Sequence, residues 1–358
     1  MKHRQIGMTG VGVINPDGHA IGLDIGATSV RAAILAPGLL EGRPSVTVHG
    51  IGRVDLPPGA VINGVVADQT IVSSALKHLW AINKFECRNV ILGIANQQVL
   101  VRDLTVPNLN PQQLAQALPF QAREVIALPV DQVILDFCQL GQPDPQTNMI
   151  SGLLMATPRE PVLAAVSAVE KAGLKVARVD LSSFATLRSI GQEELGVEAI
   201  IDLGAHLTTI MIHDRGVPRL VRTLTRGAQE LTDQLASRLD ISQLEAEQAK
   251  HEVGLEGDAD AARALRDAAR PLLAELRTSL GYFRSTVKNA SLERIAVTGG
   301  GAMLRGLPGM IQEHLDVPVN HIDPMQHVRN RSSKEMRAEG LQHNASAISL
   351  GLAMGAAA

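Results

Sequence analysis

Gly22-Leu23-Asp24-Ile25-Gly26-Ala27-Thr28-Ser29-Val30-Arg31 is the stretch whose reading decides the fold. One apolar run, Ile21–Asp24, ends at the turn Gly26-Ala27-Thr28, and a second, Val30–Leu35, leaves it. Two apolar runs around a short glycine turn predict a pair of strands. Glycine supplies the positive φ that such turns demand. The turn amides, with the hydroxyls of Thr28 and Ser29, can surround phosphate oxygens. Asp24 at the strand end is placed to hold a magnesium-bound water, and Arg31 follows on the next strand. An ordinary hairpin turn explains the same residues equally well when they are taken alone.

The second half of the chain repeats this pattern. Ala199–Asp202 reads as a strand, Gly204-Ala205-His206 as a turn, and Thr208–Ile212 as the returning strand. An internal duplication is a clue at the level of the whole fold. Two such loops facing one another can clamp a polyphosphate, with Asp24 and Asp202 sharing its metal ion. His206 is favoured as a backbone donor whose side chain points outward. A third motif follows the strand Ile295–Thr298: Gly299, Gly300 and Gly301, then Met303 and Leu304. Glycines let a backbone pass close to a flat ring or a phosphate, and a helix beginning there adds a favourable dipole.

Between the two halves the texture changes near Asn96. Val99–Val106, Val133–Leu140 and Ile150–Ala156 read as strands. A helix is expected from Asn110-Pro111 toward Val125, and another over Arg159–Ala172 with Gly173 as its stop. Strand, helix, strand, strand, helix makes a small α+β module of the size of an inserted subdomain. Helices are also expected over Asp68–Trp80, Ala228–Leu239 and Ala259–Lys288, and further strands over Val46–Val54 and Val90–Ile94.

Bulk properties exclude several classes. The 358 residues are 45% hydrophobic and 19% charged, which fits a folded chain of at least two lobes. The net charge of -3 gives no overall pull toward nucleic acid, and 2% aromatics leave few stacking platforms. Cys87 and Cys138 make neither a zinc site nor a disulfide framework, and the eleven histidines form no metal-ligand pattern. Residues 1–19 read as a polar, flexible leader without the apolar centre of a signal peptide. No apolar run reaches membrane-spanning length, so a cytoplasmic protein is expected.

The three glycine motifs together resemble the actin, Hsp70 and sugar-kinase superfamily. Within it the chain resembles the PilM family of type IV pilus assembly. That resemblance is carried by Leu56-Pro57-Pro58-Gly59-Ala60-Val61-Ile62-Asn63-Gly64, by Val101–Pro107, by Lys171-Ala172-Gly173-Leu174-Lys175-Val176-Ala177-Arg178-Val179-Asp180 with Phe184-Ala185, and by Leu304-Arg305-Gly306-Leu307. It extends from Ala20 to Ala353. It implies an α/β fold of two RNase-H-like, actin-like ATPase lobes with an inserted SHS2-like subdomain. The expected divisions are a leader at 1–19, the first lobe at 20–97, the insert at 98–174, a return to the first lobe at 175–198, and the second lobe at 199–358.

The resemblance further implies ATP and Mg2+ as cofactors, and capture of the N-terminal tail of a PilN-like inner-membrane protein in a groove between the first lobe and the insert. Gly227 to Thr232 matches a glycine-led helix start near the ribose. Glu247 and Lys250 match a pair that approaches ribose and adenine, although a solvated helix pair accounts for them as well. Asp180 is the nearest match to a water-orienting catalytic residue, with a structural aspartate capping the turn before Ser182 as the equal alternative. Arg226 stands where a second glycine is common, so it crowds the pocket mouth or contacts phosphate; Gln121 and Arg123 replace more acidic residues. Weak or absent turnover is expected. The alternatives are an FtsA-like or filament-forming actin homologue, disfavoured because Leu350–Ala358 has no basic face or aromatic anchor, and a small-molecule kinase, for which no acceptor-binding element is found.

Overall fold

The structure is a computed structural model, and it describes residues 18–40, 43–287, 291–327, 329–330 and 344–357. The leader expected over 1–19 lies almost wholly outside the described residues. Two sheets built on one plan carry the fold. In the first, strands β1 (Ala20–Ile25), β2 (Ser29–Leu40) and β3 (Arg43–Asp55) form an antiparallel meander. Strands β6 (Asn89–Ile94) and β10 (Lys175–Leu181) extend it in parallel, giving the order β10-β6-β1-β2-β3-β16, with β16 at Arg329–Asn330. The two-stranded hairpin of β4 (Val61–Ile62) and β5 (Val65–Val66) lies apart.

In the second sheet, β11 (Val197–Leu203), β12 (Thr208–Asp214) and β13 (Val217–Leu224) make the meander. Strands β14 (Leu292–Thr298) and β15 (Val319–His321) extend it, giving β13-β12-β11-β14-β15. The duplication read from the sequence is therefore a duplication of whole sheets. The third meander strand, Val217–Leu224, was not legible, because its exposed residues alternate with half-buried ones and leave only two fully buried.

Strand β1 shows why the first sheet has its shape. Successive side chains point to opposite faces. Ile21 and Leu23 enter the main apolar cluster with helix α1 (Gln69–Asn83), whereas Ala20 packs on the other face beside Leu350, Leu352 and Ala353. Those residues belong to helix α9 (Ala347–Ala357). A Cβ on Gly22 would lie 2.0 Å from the Ser349 carbonyl oxygen, and one on Gly351 would lie 1.7 Å from that of Ala185. The helix thus lies backbone to backbone on β1 and on helix α4 (Ser182–Ile190). This corrects the expectation that 199–358 all belongs to the second lobe: β16 pairs with β3, and α9 closes the first sheet. A helix this apolar on all sides is a buried one.

The insert has the expected order of elements. Strand β7 (Leu100–Pro107), helix α2 (Pro111–Ala122), strands β8 (Val133–Gln139) and β9 (Met149–Pro158), and helix α3 (Arg159–Lys171) follow in turn, with sheet order β7-β9-β8. Helix α2 starts where Asn110 and Gln113 form a reciprocal cap, and stops at Ala122, where the amides of Val125 and Ile126 both fold back onto the Ala122 carbonyl. Helix α3 packs on α1, and its Val162 and Val169 enter the first lobe's core.

The second lobe carries helices α5 (Ala228–Leu239), α6 (Gln243–Val253) and α7 (Asp260–Thr286), then α8 (Leu307–Leu315). Helix α6 was missed in sequence, although the reciprocal cap of Ser242 and Glu245 signals it. Among the described residues no helix is long and apolar enough to cross a membrane.

Two glycine substitutions separate close packing from mere composition. Gly351→Ala has backbone in its path and is expected to cost about 2 kcal/mol or more in urea unfolding. Gly281→Ala on exposed α7 meets nothing within 4 Å and is expected to stabilise by up to about 1 kcal/mol.

Candidate functional site

The two meanders place their first turns face to face. The Gly26 amide donates to the Ser29 carbonyl at 3.0 Å, and the Gly204 amide donates to the Leu207 carbonyl at 2.9 Å, so both turns close by the same bond. Among the described residues no backbone carbonyl accepts from the turn amides of Ala27, Thr28, Ala205 or His206. These turns border one cleft of about 670 Å3, a size typical of a small-molecule or cofactor site. Its other borders are the glycine stretch Gly299–Gly301 with Leu304, the side chains of Glu247 and Lys250, and the first turn of α9 at Ala347 and Ile348.

Asp24 and Asp202 end the equivalent strands β1 and β11. Asp24 faces Arg31 across the β1–β2 pair, and Arg31 Nη1 donates to Asp24 Oδ2 at 3.2 Å. The matching partner of Asp202 is Thr209, which carries no charge. Burial pushes the Asp24 carboxyl up, opposed by Arg31. Burial, reinforced by the charge of Asp24 and opposed by Arg31, pushes Asp202 up to about 6. Two carboxylates share a space with one guanidinium, which bonds Asp24 and reaches Asp202 only through its charge. A hard divalent cation with oxygen ligands and retained waters fits that donor set.

Glycines are required where the third motif meets the second. Gly299 has φ +87°, and a Cβ there would lie 2.4 Å from Asp202 Oδ1. On Gly301 it would strike the Leu203 side chain at 2.6 Å. On Gly300 it would meet nothing within 4 Å, so the space beside Gly300 is open. A short 3-10 turn, Gly300–Met303, begins where a helix was expected, and α8 follows it from Leu307.

At the far end Lys250 is buried, not solvated. Its ammonium donates to the Ala228 carbonyl at 3.3 Å, to Thr232 Oγ1 at 2.8 Å and to Glu247 Oε2 at 2.7 Å. Three donors are all an ammonium has, so Lys250 pins α5 to α6 and has none left for a ligand. Burial works against ionisation of Glu247, but hydrogen bonds from Lys250 and Thr232 outweigh it and hold the carboxyl below its usual range.

The structure brings Asp24, Gly26, Ala27, Thr28, Arg31, Asp202, Gly204, Ala205, His206, Glu247, Lys250, Gly299, Gly300, Gly301 and Leu304 to this one cleft. Four expected residues lie elsewhere. Ser29 is fully buried and turned away from the cleft, its hydroxyl without a partner among the described residues. Thr208 donates to the Arg226 carbonyl at 2.8 Å, and its neighbour Thr209 lines the cleft instead; the strand period of two makes the difference. Gly227 is a packing residue, for a Cβ there would lie 2.3 Å from the Ala205 carbonyl oxygen. It opens α5, whose first two amides, Ala228 and Gln229, donate to the carbonyls of Gly204 and Ala205 and so anchor the second turn.

Asp180 is the fourth. It is buried outside the cleft, with Oδ2 held by Arg178 at 2.9 Å and Arg188 at 2.5 Å and Oδ1 accepting from the Leu181 amide at 2.8 Å. This setting, outside the cleft and held by two arginines, is that of a structural aspartate. Arg226 also stays out of the cleft, paired with Glu275 at 2.5 Å and with Glu230. It lines a neighbouring recess of about 310 Å3 that His206 also borders. Arg123 packs over the Phe120 ring in the insert. Gln229, within the expected helix start, lines the cleft, and Arg53 and His251 line it without having been expected. His251 was within reach of sequence reasoning, since it lies one turn after Glu247 and contacts it at 3.1 Å.

Paired meanders with facing aspartate turns define an actin-like ATPase fold. Two solved structures share it at low identity: MreB5 of Spiroplasma citri bound to AMPPNP, 13% identical with a TM-score of 0.54 over 94% of this chain and 95% of that one, and EutJ from Carboxydothermus hydrogenoformans, 16% identical with a TM-score of 0.55 over 96% and 92%. The model of the type IV pilus assembly protein PilM family matches residues 22–357, and the chain belongs to that family. A solved PilM-PilN type IV pilus biogenesis complex is similar at 27% identity, with a TM-score of 0.81 over 94% of this chain and 98% of that one. The cell division protein FtsA of Bacillus subtilis is 23% identical over 65% of this chain and 58% of its own length, so the chain spans less than two thirds of that relative.

The raised Asp202 carboxyl makes stability depend on pH. Between 3.8 and about 6 the folded chain holds a proton that the unfolded chain has released. Stability from this group is therefore full at low pH, declines as pH rises through that window, and stays low above it. The loss amounts to at most about 3 kcal/mol, at 1.36 kcal/mol for each unit. Asp202→Asn is expected to raise the melting temperature of the ligand-free protein at pH 7.5 and to flatten the decline between pH 4 and 6. Thermal melts across that range check both; a lower melting temperature at pH 7.5 would make Asp202 a structural residue.

Proposed function

We propose that the chain is an ATP-binding adaptor of the type IV pilus machine. It takes Mg2+-ATP in the cleft and captures the N-terminal tail of a PilN-like inner-membrane protein. The observation that carries this is the facing pair Asp24 and Asp202, buried together at the ends of duplicated strands in a chain of the PilM family. The pair would hold the waters of Mg2+, which neutralises phosphate charge. Arg31 lies beside them to meet phosphate oxygens, and the amides of Ala27, Thr28, Ala205 and His206 donate to them. Gly300 leaves room for a flat base, and Glu247 presents an acceptor to ribose hydroxyls.

The same geometry supports weak or absent turnover. Phosphoryl chemistry needs a side chain that orients the attacking water. Beside the two aspartates, the acid and amide side chains in the cleft are Glu247 and Gln229. Glu247 is held by Lys250 and Thr232, and Gln229 Nε2 donates to Asp233 at 2.9 Å. The reading puts the chain in the cytoplasm, reaching the inner membrane through its partner. The tail would enter the groove between the first lobe and the insert, where β8 has a sheet partner on one side only. An extended peptide gains backbone bonds on such an edge.

Calorimetry with Mg2+-ATP tests the first half. Asp24→Ala is expected to weaken binding by at least about tenfold, or 1.4 kcal/mol; equal affinity in the variant would remove the assignment. Fluorescence anisotropy with a labelled tail peptide tests the second. The wild-type chain is expected to bind it, and Mg2+-ATP is expected to change peptide affinity by the factor by which peptide changes ATP affinity. No peptide binding with or without nucleotide would sink the adaptor reading. ATP-dependent sedimentation would favour a filament, and phosphorylation of added sugars a kinase.

A further inference from the structure

Asp180 has more partners than a turn cap uses. Capping the turn takes one bond, from the Leu181 amide to Oδ1 at 2.8 Å. The other oxygen holds two guanidinium groups, Arg178 at 2.9 Å and Arg188 at 2.5 Å, and the residue is 3% exposed. Both arginines continue to the same helix. Arg188 Nε donates to the Gly351 carbonyl at 2.9 Å, and Arg178 Nη1 donates to the Gly355 carbonyl at 3.2 Å. Gly355 lies in the last turn of α9, where carbonyls lack helical partners and cations are favoured. The other end of α9, Ala347 and Ile348, forms part of the cleft wall. Eight residues of helix span about 12 Å, rising 1.5 Å per residue.

On its other side the Asp180 cluster comes within electrostatic reach of Cys138 on β8 of the insert. Ile134, Cys138 and Leu140, in and just after β8, pack into the same apolar cluster as Leu181 and Phe184. The Cys138 thiol is pushed up by burial and by the charges of Asp136 and Asp180, and is pulled down by Arg188. Cys138 is therefore a reporter, native to the chain, for the position of this cluster.

We infer that Asp180 is a positioning residue that joins the nucleotide cleft to the insert through α9. The inference rests on the nucleotide-binding reading above. Helix α9 lies backbone to backbone on β1 and α4, so it moves as one body and does not bend locally. A ligand that draws the lobes together presses on Ala347 and Ile348. The shift reaches Gly351 and Gly355, and the two arginines carry it through Asp180 to the β8 wall of the groove. A tail peptide seated in that groove acts on the cleft by the reverse route, as linkage requires.

The test is the alkylation rate of Cys138 in full-length chain with Cys87→Ser, so that one thiol reports. Mg2+-ATP is expected to slow alkylation about fivefold, the low end of ordinary coupling between sites. Asp180→Asn is expected to cut the response below about twofold while calorimetry still detects ATP. Arg188→Lys keeps a charge beside Asp180 but loses the planar fork that reaches Gly351 as well. It is expected to lose the response with a near-normal melting temperature, and it decides the matter if Asp180→Asn fails to fold. Bound ATP with an unchanged Cys138 rate in the wild type would overturn the inference. So would a full response in Arg188→Lys. If the wild type bound no ATP, calorimetry alone would show it, and the proposed function would fall together with this inference.

Discussion

Two buried carboxylates of like charge, Asp24 and Asp202, set the terms for the architecture around them. Burial and mutual repulsion oppose their ionisation, and Arg31 offsets only part of that. Removing such charges from water costs several kcal/mol unless a counter-charge arrives. Each aspartate lies near the end of a central strand whose apolar neighbours hold it in place at the cleft. Gly299 is admitted beside Asp202 because no side chain fits there. The first amides of α5 are spent on holding the second turn, which keeps that turn's own amides aimed inward. The cleft is thus an electrostatically unsatisfied arrangement, which on the function proposed above a cation with its anion would relieve.

Much of this was legible in sequence because the signals were local. The two aspartates, the glycine turns and the glycine stretch each announce themselves through residue types that few other roles require, and the duplication of strand, turn and strand located the lobes. Errors arose where the deciding contact is distant. Thr208 was expected to bind through its hydroxyl, while the side-chain alternation along β12 makes Thr209 the counterpart of Arg31. Ser29 looks like a ligand by composition, but its position opening β2 turns it inward. Asp180 reads as an acid at a strand end, and only the spatial approach of Arg178 and Arg188 shows how its charge is used. Helix α9 looks like an apolar tail; its seat on β1 depends on Gly22, more than three hundred positions earlier.

Lys250 and Glu247 form a structural joint at the border of the cleft. A buried ammonium whose three bonds are satisfied inside the protein fixes α5 against α6 before any ligand arrives. Glu247 is thereby held ionised and oriented. Preorganisation of this kind lowers the ordering cost of binding.

The seating of α9 also bears on how the chain is made. One face of the second sheet is covered by residues between Val197 and Val319, while Ile200, Met211 and Ala296 on its other face pack with the first lobe. The first sheet begins at Ala20 and has its back face covered by Leu350, Leu352 and Ala353. In synthesis, then, β1 is made early and waits for α9, which follows it by more than three hundred residues. Contacts of such long sequence separation form slowly. Until α9 docks, the cover on one face of the first sheet and the cleft wall at Ala347 are both missing, so the cleft is complete only once residues from the two ends of the described fold have met.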